Sequence, residues 1–133
     1  MFPSRVEYEH LIYTIVENYS MVDKSSLHFF TTSATAGLLK GTLWFKNDIE
    51  LRVVEIIDFA VGEILDYSYT IYKNGKKFQW YDSQPHPEDS NLADTYPHHK
   101  HELPNIKKNR KPAKGICFDS PNLIILIEKI AEL

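Results

Sequence analysis

The sequence predicts an α+β domain: an antiparallel β-sheet meander of about five to six strands, packed by an N-terminal and a C-terminal helix. Two observations carry this. Apolar residues recur at helical spacing near both ends, as Leu11, Ile12, Ile15, Val16 and Tyr19, and again as Leu123, Ile124, Ile127, Ile130 and Ala131. Between these stretches, β-branched and aromatic residues alternate with polar ones, and turn residues interrupt them at Ala34 to Gly37, at Lys46-Asn47-Asp48, near Gly62 and at Asn74-Gly75.

The first helix is expected to begin near Ser4, with Glu7, Glu9, Thr14, Glu17 and Asn18 on its polar side. The last is expected to start at Ser120-Pro121, because a serine hydroxyl caps free backbone N–H groups and proline is tolerated in the first turn. Asn74-Gly75 is the strongest hairpin signal, since a two-residue loop of the primed type needs positive φ at both positions.

Each turn sets a register. A three-residue loop at Lys46 to Asp48 pairs Phe45 with Ile49, Leu43 with Leu51 and Gly41 with Val53, an apolar row whose next member is Glu55. A two-residue loop at Asn74-Gly75 pairs Ile71 with Phe78, Tyr69 with Trp80 and Tyr67 with Asp82. Two carboxylates, Glu55 and Asp82, are thus expected on a face that is otherwise apolar, where each needs a partner, a role, or a bulge or strand end that turns it to solvent.

No repeat or inner linker divides the chain, so residues 1–133 are read as a single domain. Regular patterning fades in a His- and Pro-rich segment, residues 80–114, with prolines at 85, 87, 97, 104 and 112. Irregular stretches of that length inside a compact domain are often functional.

Composition narrows the classes. Hydrophobic residues at 43% and charged residues at 25% fit a folded globular chain. Fifteen basic against eighteen acidic side chains leave a net charge of −3, which argues against nucleic-acid binding by bulk charge. Positive charge is nonetheless concentrated in Lys100, Lys107, Lys108, Arg110, Lys111 and Lys114. The lone Cys117 lies in the apolar run Ile116-Cys117-Phe118 and fits a reducing compartment. With no leader-like segment and no membrane-length apolar run, a cytoplasmic location is expected.

Four of six histidines, His86, His98, His99 and His101, fall close together beside Asp82, Glu88, Asp89, Asp94 and Lys100. Imidazoles titrate near neutrality, so a pair can hold one proton donor and one acceptor together. A carboxylate fixes their tautomer and a lysine stabilises charge building on a phosphate. These parts match metal-independent RNA cleavage, with Trp80, Tyr81 and Tyr96 as stacking surfaces for unpaired bases.

Divalent metal binding is the rival use of the same cluster, because His99 and His101 share one side of an extended segment that His86 or Asp82 completes. No His-Glu-x-x-His, paired Cys-x-x-Cys, glycine-rich phosphate loop or Gly-x-Ser-x-Gly supports a zinc protease, zinc finger, nucleotide binder or α/β-hydrolase. No cofactor is otherwise expected. His10 and His28 fall in a helix and a strand, where structural roles are expected.

Gly41-Thr42-Leu43-Trp44-Phe45, Leu51-Arg52-Val53-Val54-Glu55, Tyr67-x-Tyr69, Trp80-Tyr81-Asp82 with Pro85-His86, and Tyr96-Pro97-His98-His99-Lys100-His101 together resemble the TumE family, the toxins of TumA/TumE-type toxin-antitoxin systems. The resemblance runs over about residues 37 to 130, and its most specific part is the Tyr-Pro-His-His-Lys-His element. Trp80 stands where that family often has arginine, and Pro87 where it often has a second histidine. The resemblance implies a growth-inhibiting toxin neutralised by a cognate antitoxin, often one with a helix-turn-helix.

On the matched positions, His98, His99 and His101 are expected to do acid-base work, with Glu55 and Asp82 orienting them. Lys100, Tyr81, Tyr96 and His86 are expected to contact an RNA substrate. Alternatives are a non-catalytic toxin that binds nucleic acid or protein, and a metal-binding protein. A homodimer is a further expectation, from the aromatic sheet surface left over once two helices are placed.

Overall fold

A computed structural model describes residues 2–83, 99–102, 110–112 and 115–133, with segments 99–102 and 110–112 described by backbone only. Expectations for His86, Tyr96 and His98 fall outside the described residues. Helix α1 spans Arg5–Tyr13 and the short α2 spans Ile15–Asn18. The strands are β1 (Val22–Ser25), β2 (His28–Thr31), β3 (Ala36–Phe45), β4 (Ile49–Asp58), β5 (Glu63–Lys73), β6 (Lys76–Asp82), β7 (His99–Glu102) and β8 (Arg110–Pro112). Helix α3 is Leu123–Ala131.

The expected architecture is present: an open antiparallel sheet with a helix from each end of the chain. Its order is β1-β3-β4-β5-β6-β7-β8, and β2 also pairs with β3. Four long strands, β3 to β6, form its centre. The additional short strands lie at the two ends of the order and bring the described total to eight. Two of them, β7 and β8, fall in the segment that sequence alone leaves irregular.

Ser4 begins α1 as expected, in a reciprocal arrangement with Glu7 that satisfies two backbone donors. The helical pattern breaks at Thr14, whose hydroxyl donates to the His10 carbonyl at 2.6 Å. At the other end the start differs from expectation. The N-cap of α3 is Asn122, whose side chain does not cap, while the Ser120 hydroxyl lies 2.9 Å from the Cys117 thiol. Asn122 closes the preceding turn instead: its Nδ2 donates to the Cys117 carbonyl and its Oδ1 accepts from the Cys117 amide, at 2.9 and 3.0 Å.

Strand β3 carries two edge strands in succession. Between them the chain passes over Gly41 so closely that a Cβ there would meet Ser26 O at 2.6 Å and Leu27 Cα at 2.7 Å. The crossing is fixed by Ser26 and Thr42, whose backbones bond at 2.9 Å. Only glycine fits this crossing.

The β3–β4 register is the expected one, with Leu43 opposite Leu51, Gly41 opposite Val53 and Leu39 opposite Glu55. The β5–β6 hairpin starts as expected, with φ of 52° at Asn74 and 79° at Gly75, and Lys73 opposite Lys76. It then shifts. Tyr72 pairs with Lys77 but Ile71 pairs with Gln79, so Phe78 is the extra residue of a β-bulge. Beyond the bulge Tyr69 faces Tyr81, Thr70 faces Trp80 and Ser68 faces Asp82, which replaces the expected pairings of Ile71, Tyr69 and Tyr67 with Phe78, Trp80 and Asp82.

Both long helices cover the same face. Tyr8, Ile12 and Ile15 from the N-terminal end and Leu123, Leu126, Ile127 and Ile130 from α3 pack on Leu39, Leu43, Leu51, Val53, Ile57, Tyr69, Ile71 and Tyr81, all buried. Burying each large side chain contributes about 1.5–3 kcal/mol, and these contacts hold the layers together. The opposite face carries Arg52, Val54 and Ile56, which are exposed, and the partly exposed Trp44, Tyr72 and Trp80. Among the described residues no helix is long and apolar enough to cross a membrane.

Candidate functional site

The open face has a recess of about 100 Å³ lined by Val54, Ile56, Asp66, Tyr67, Ser68, Trp80 and Asp82. The Phe78 bulge creates this grouping, because it moves Trp80 and Asp82 onto the face of Ser68 and Thr70. Trp80 Nε1 donates to Ser68 Oγ at 3.2 Å, which fixes the indole at the recess wall. Ser83 Oγ donates to Asp66 and accepts the Tyr67 amide, the latter at 3.2 Å, which closes the strand end. Asp82 is only 4% exposed. Burial foremost, and then the charge of Asp82, pushes the Tyr67 hydroxyl well above the usual phenol range.

Strand β7 joins the outer edge of β6 here. His99 is the register partner of Asp82, Lys100 of Tyr81 and His101 of Trp80. Strand β8 then sets Pro112 opposite His99, Lys111 opposite Lys100 and Arg110 opposite His101. Partners in an antiparallel pair belong to one face of the sheet. By register, therefore, His99, His101 and Arg110 belong to the open face with Asp82 and Trp80, while Lys100 belongs to the helix-covered face with Tyr81.

The other candidate residues sit elsewhere. Tyr81 is buried, with the Lys129 ammonium 6.0 Å from its ring centre. Glu55 lies fully buried at the middle of the helix-covered face. It accepts a hydrogen bond from Tyr8 Oη at 2.5 Å and another from Tyr69 Oη. Asn122 Nδ2 donates to Tyr69 Oη at 3.1 Å, so α1, β4, β5 and the start of α3 meet in one sealed network. Burial pushes the Glu55 carboxyl up to about 7, against the pull of the two phenol hydrogen bonds.

Sealed from solvent, Glu55 ties the layers together, whereas Asp82 lines the open-face recess. The sequence marks Glu55 as needing a partner, but the partners themselves, Tyr8, Tyr69 and Asn122, read as ordinary core and cap residues. Ser68 and Asp66 likewise join the recess without a distinguishing sequence signal, because only the bulge brings Asp82 to their side.

The family model for Toxin TumE matches residues 12–131, which takes in the sheet, helix α3, the candidate site and only the end of helix α1. The chain belongs to this toxin family. No curated protein and no solved structure matches it. Membership in the family carries a toxin role and, with it, an antitoxin partner. Among the described residues, no three His, Cys, Asp or Glu side chains come together as a metal site.

Proposed function

We propose that this toxin acts as a metal-independent endoribonuclease whose centre is the open-face recess and the adjoining β7 edge. The observation that supports this reading is the β6–β7 register, which pairs His99 with Asp82 and His101 with Trp80 on the uncovered side of the sheet. Positions two apart on a strand are separated by about 7 Å, a span suited to acid and base groups on either side of one phosphate.

In the proposed reaction one imidazole takes the proton of a ribose 2′-hydroxyl. The 2′-oxygen attacks the adjacent phosphorus and the bond to the 5′-oxygen breaks, with the second imidazolium protonating that leaving oxygen. The products are a 2′,3′-cyclic phosphate and a free 5′-hydroxyl. Asp82 holds one imidazole in its working tautomer, Arg110 stabilises negative charge on the phosphate, and Trp80 stacks on a base. His98, in the same run, is a third candidate for acid-base work.

The test is incubation of the purified protein with single-stranded RNA, with and without a chelator, followed by end-group analysis. Cyclic-phosphate ends that persist in chelator and disappear in His99→Ala and His101→Ala variants of unchanged thermal stability support the proposal. Intact RNA, or cleavage indifferent to both substitutions, overturns it. Growth arrest by histidine variants that leave RNA intact points instead to a toxin that inhibits by binding.

A further inference from the structure

We propose that the open face beyond the recess is a binding track for single-stranded RNA, passing from Trp80 across Arg52 and Tyr72 to Lys24 and Trp44. The inference rests on the ribonuclease reading and adds where the substrate lies. Its basis is three cation–aromatic pairs on one face. Lys77 Nζ lies 4.9 Å from the Trp80 ring centre, the Arg52 guanidinium 4.1 Å from that of Tyr72, and Lys24 Nζ 4.6 Å from that of Trp44.

Register links these pairs. Trp44, Glu50, Tyr72 and Lys77 occupy one cross-strand row; Thr42, Arg52, Thr70 and Trp80 occupy the next row on that face. Trp44 and Tyr72 are two strands apart, about 10 Å, and Trp80 continues the line towards β7. A flat sheet bearing spaced aromatic rings suits splayed bases, which stack on aromatic rings or on guanidinium planes. Arg52 offers such a plane: it lies over Tyr72, its side chain is 56% exposed, and Glu50 holds it at 3.7 Å.

Charge points to an anionic ligand. The chain as a whole is at −3, yet Lys24, Lys40, Arg52, Lys73, Lys76 and Lys77 are all exposed on this face or at the adjoining hairpin tip. Lys73, Lys76 and Lys77 also line a hollow of about 280 Å³ with Asn74 and Phe78. Cations interleaved with half-buried rings match phosphates interleaved with bases. An acidic protein segment would use the cations but not the row of rings.

The test measures the affinity of a fluorescent oligouridine for the intact protein by anisotropy, across a range of salt. Arg52→Gln/Tyr72→Leu and Lys24→Gln/Trp44→Leu double variants, each verified by thermal unfolding, should weaken binding by roughly 5- to 150-fold. Arg52→Gln and Lys77→Gln alone should flatten the salt dependence. Unchanged affinity in folded double variants overturns the track, as does loss of antitoxin binding with RNA affinity intact. Weakened RNA binding with cleavage indifferent to His99→Ala and His101→Ala would retain the track and discard the histidine mechanism; histidine-dependent cleavage with unaltered RNA affinity would do the reverse.

Discussion

The two faces of this sheet treat a carboxylate in opposite ways. On the helix-covered face Glu55 is enclosed by Tyr8 and Tyr69 and sealed by two helices, so its hydrogen bonds serve cohesion. On the open face Asp82 lines a recess whose edge strand supplies histidine positions, and among the described residues no helix covers it. One layer of backbone thus supports a rigid interior on one side and an accessible surface on the other. Substitutions should separate along the same division, costing stability on the covered side and activity on the open side.

The largest expected effect is on activity. His101→Ala should lower RNA cleavage by about 10²- to 10⁴-fold, the usual contribution of general acid-base catalysis. Its urea midpoint should match the wild type; a large drop in stability would erase the separation between faces. On the covered side, Leu51→Ala should cost about 2–5 kcal/mol in urea unfolding because it opens a cavity between sheet and helices. Its neighbour on the other face, Arg52, should cost well under about 1 kcal/mol when changed to Gln.

Tyr69→Phe sharpens the comparison by deleting one hydroxyl. It removes a hydrogen bond to the buried carboxyl and leaves Asn122 one acceptor short, an expected loss of about 1.5–3 kcal/mol by chemical denaturation.

A smaller signature lies in pH. Because the folded-state value of Glu55 is raised from 4.5 to about 7, the native state binds more protons than the unfolded chain between those values. Its stabilising contribution is full below about pH 4.5 and is lost as pH rises through 7. Urea titrations from pH 5 to 8 should therefore show a decline that Glu55→Gln removes; identical slopes in the two proteins would break the assignment.

Much of the covered face is legible in the sequence. The loop at Lys46 to Asp48 allows one reading, borne out by Leu43 opposite Leu51, with Asp48 at a φ of 62°. From that register alone Glu55 falls into an apolar row. The open face is harder to read, because Phe78-Gln79-Trp80-Tyr81-Asp82 has aromatic residues in both phases and alternation does not choose between them. Strand β7 is less visible still: His99-Lys100-His101-Glu102 is polar at every position, so it carries no mark of which face is which. At the end of the chain Ser120 has the chemistry of a cap, but its hydroxyl is engaged with Cys117 and the helix starts later.

A β-strand counts in twos, and a surplus residue reverses the parity of everything after it until a turn resets the count. The ladder steps over Phe78, so deleting it would join Lys77 to Gln79 and keep Tyr81 opposite Tyr69 and Asp82 opposite Ser68, whereas drawing Phe78 into the ladder would exchange the sides of Tyr81 and Asp82. Because β7 takes its alignment from β6, that exchange would re-phase the histidine positions as well. What fixes the address of each residue in this toxin is an odd or even number of peptide units in the ladder, and a one-residue insertion between Trp80 and Tyr81 should be more harmful than deletion of Phe78.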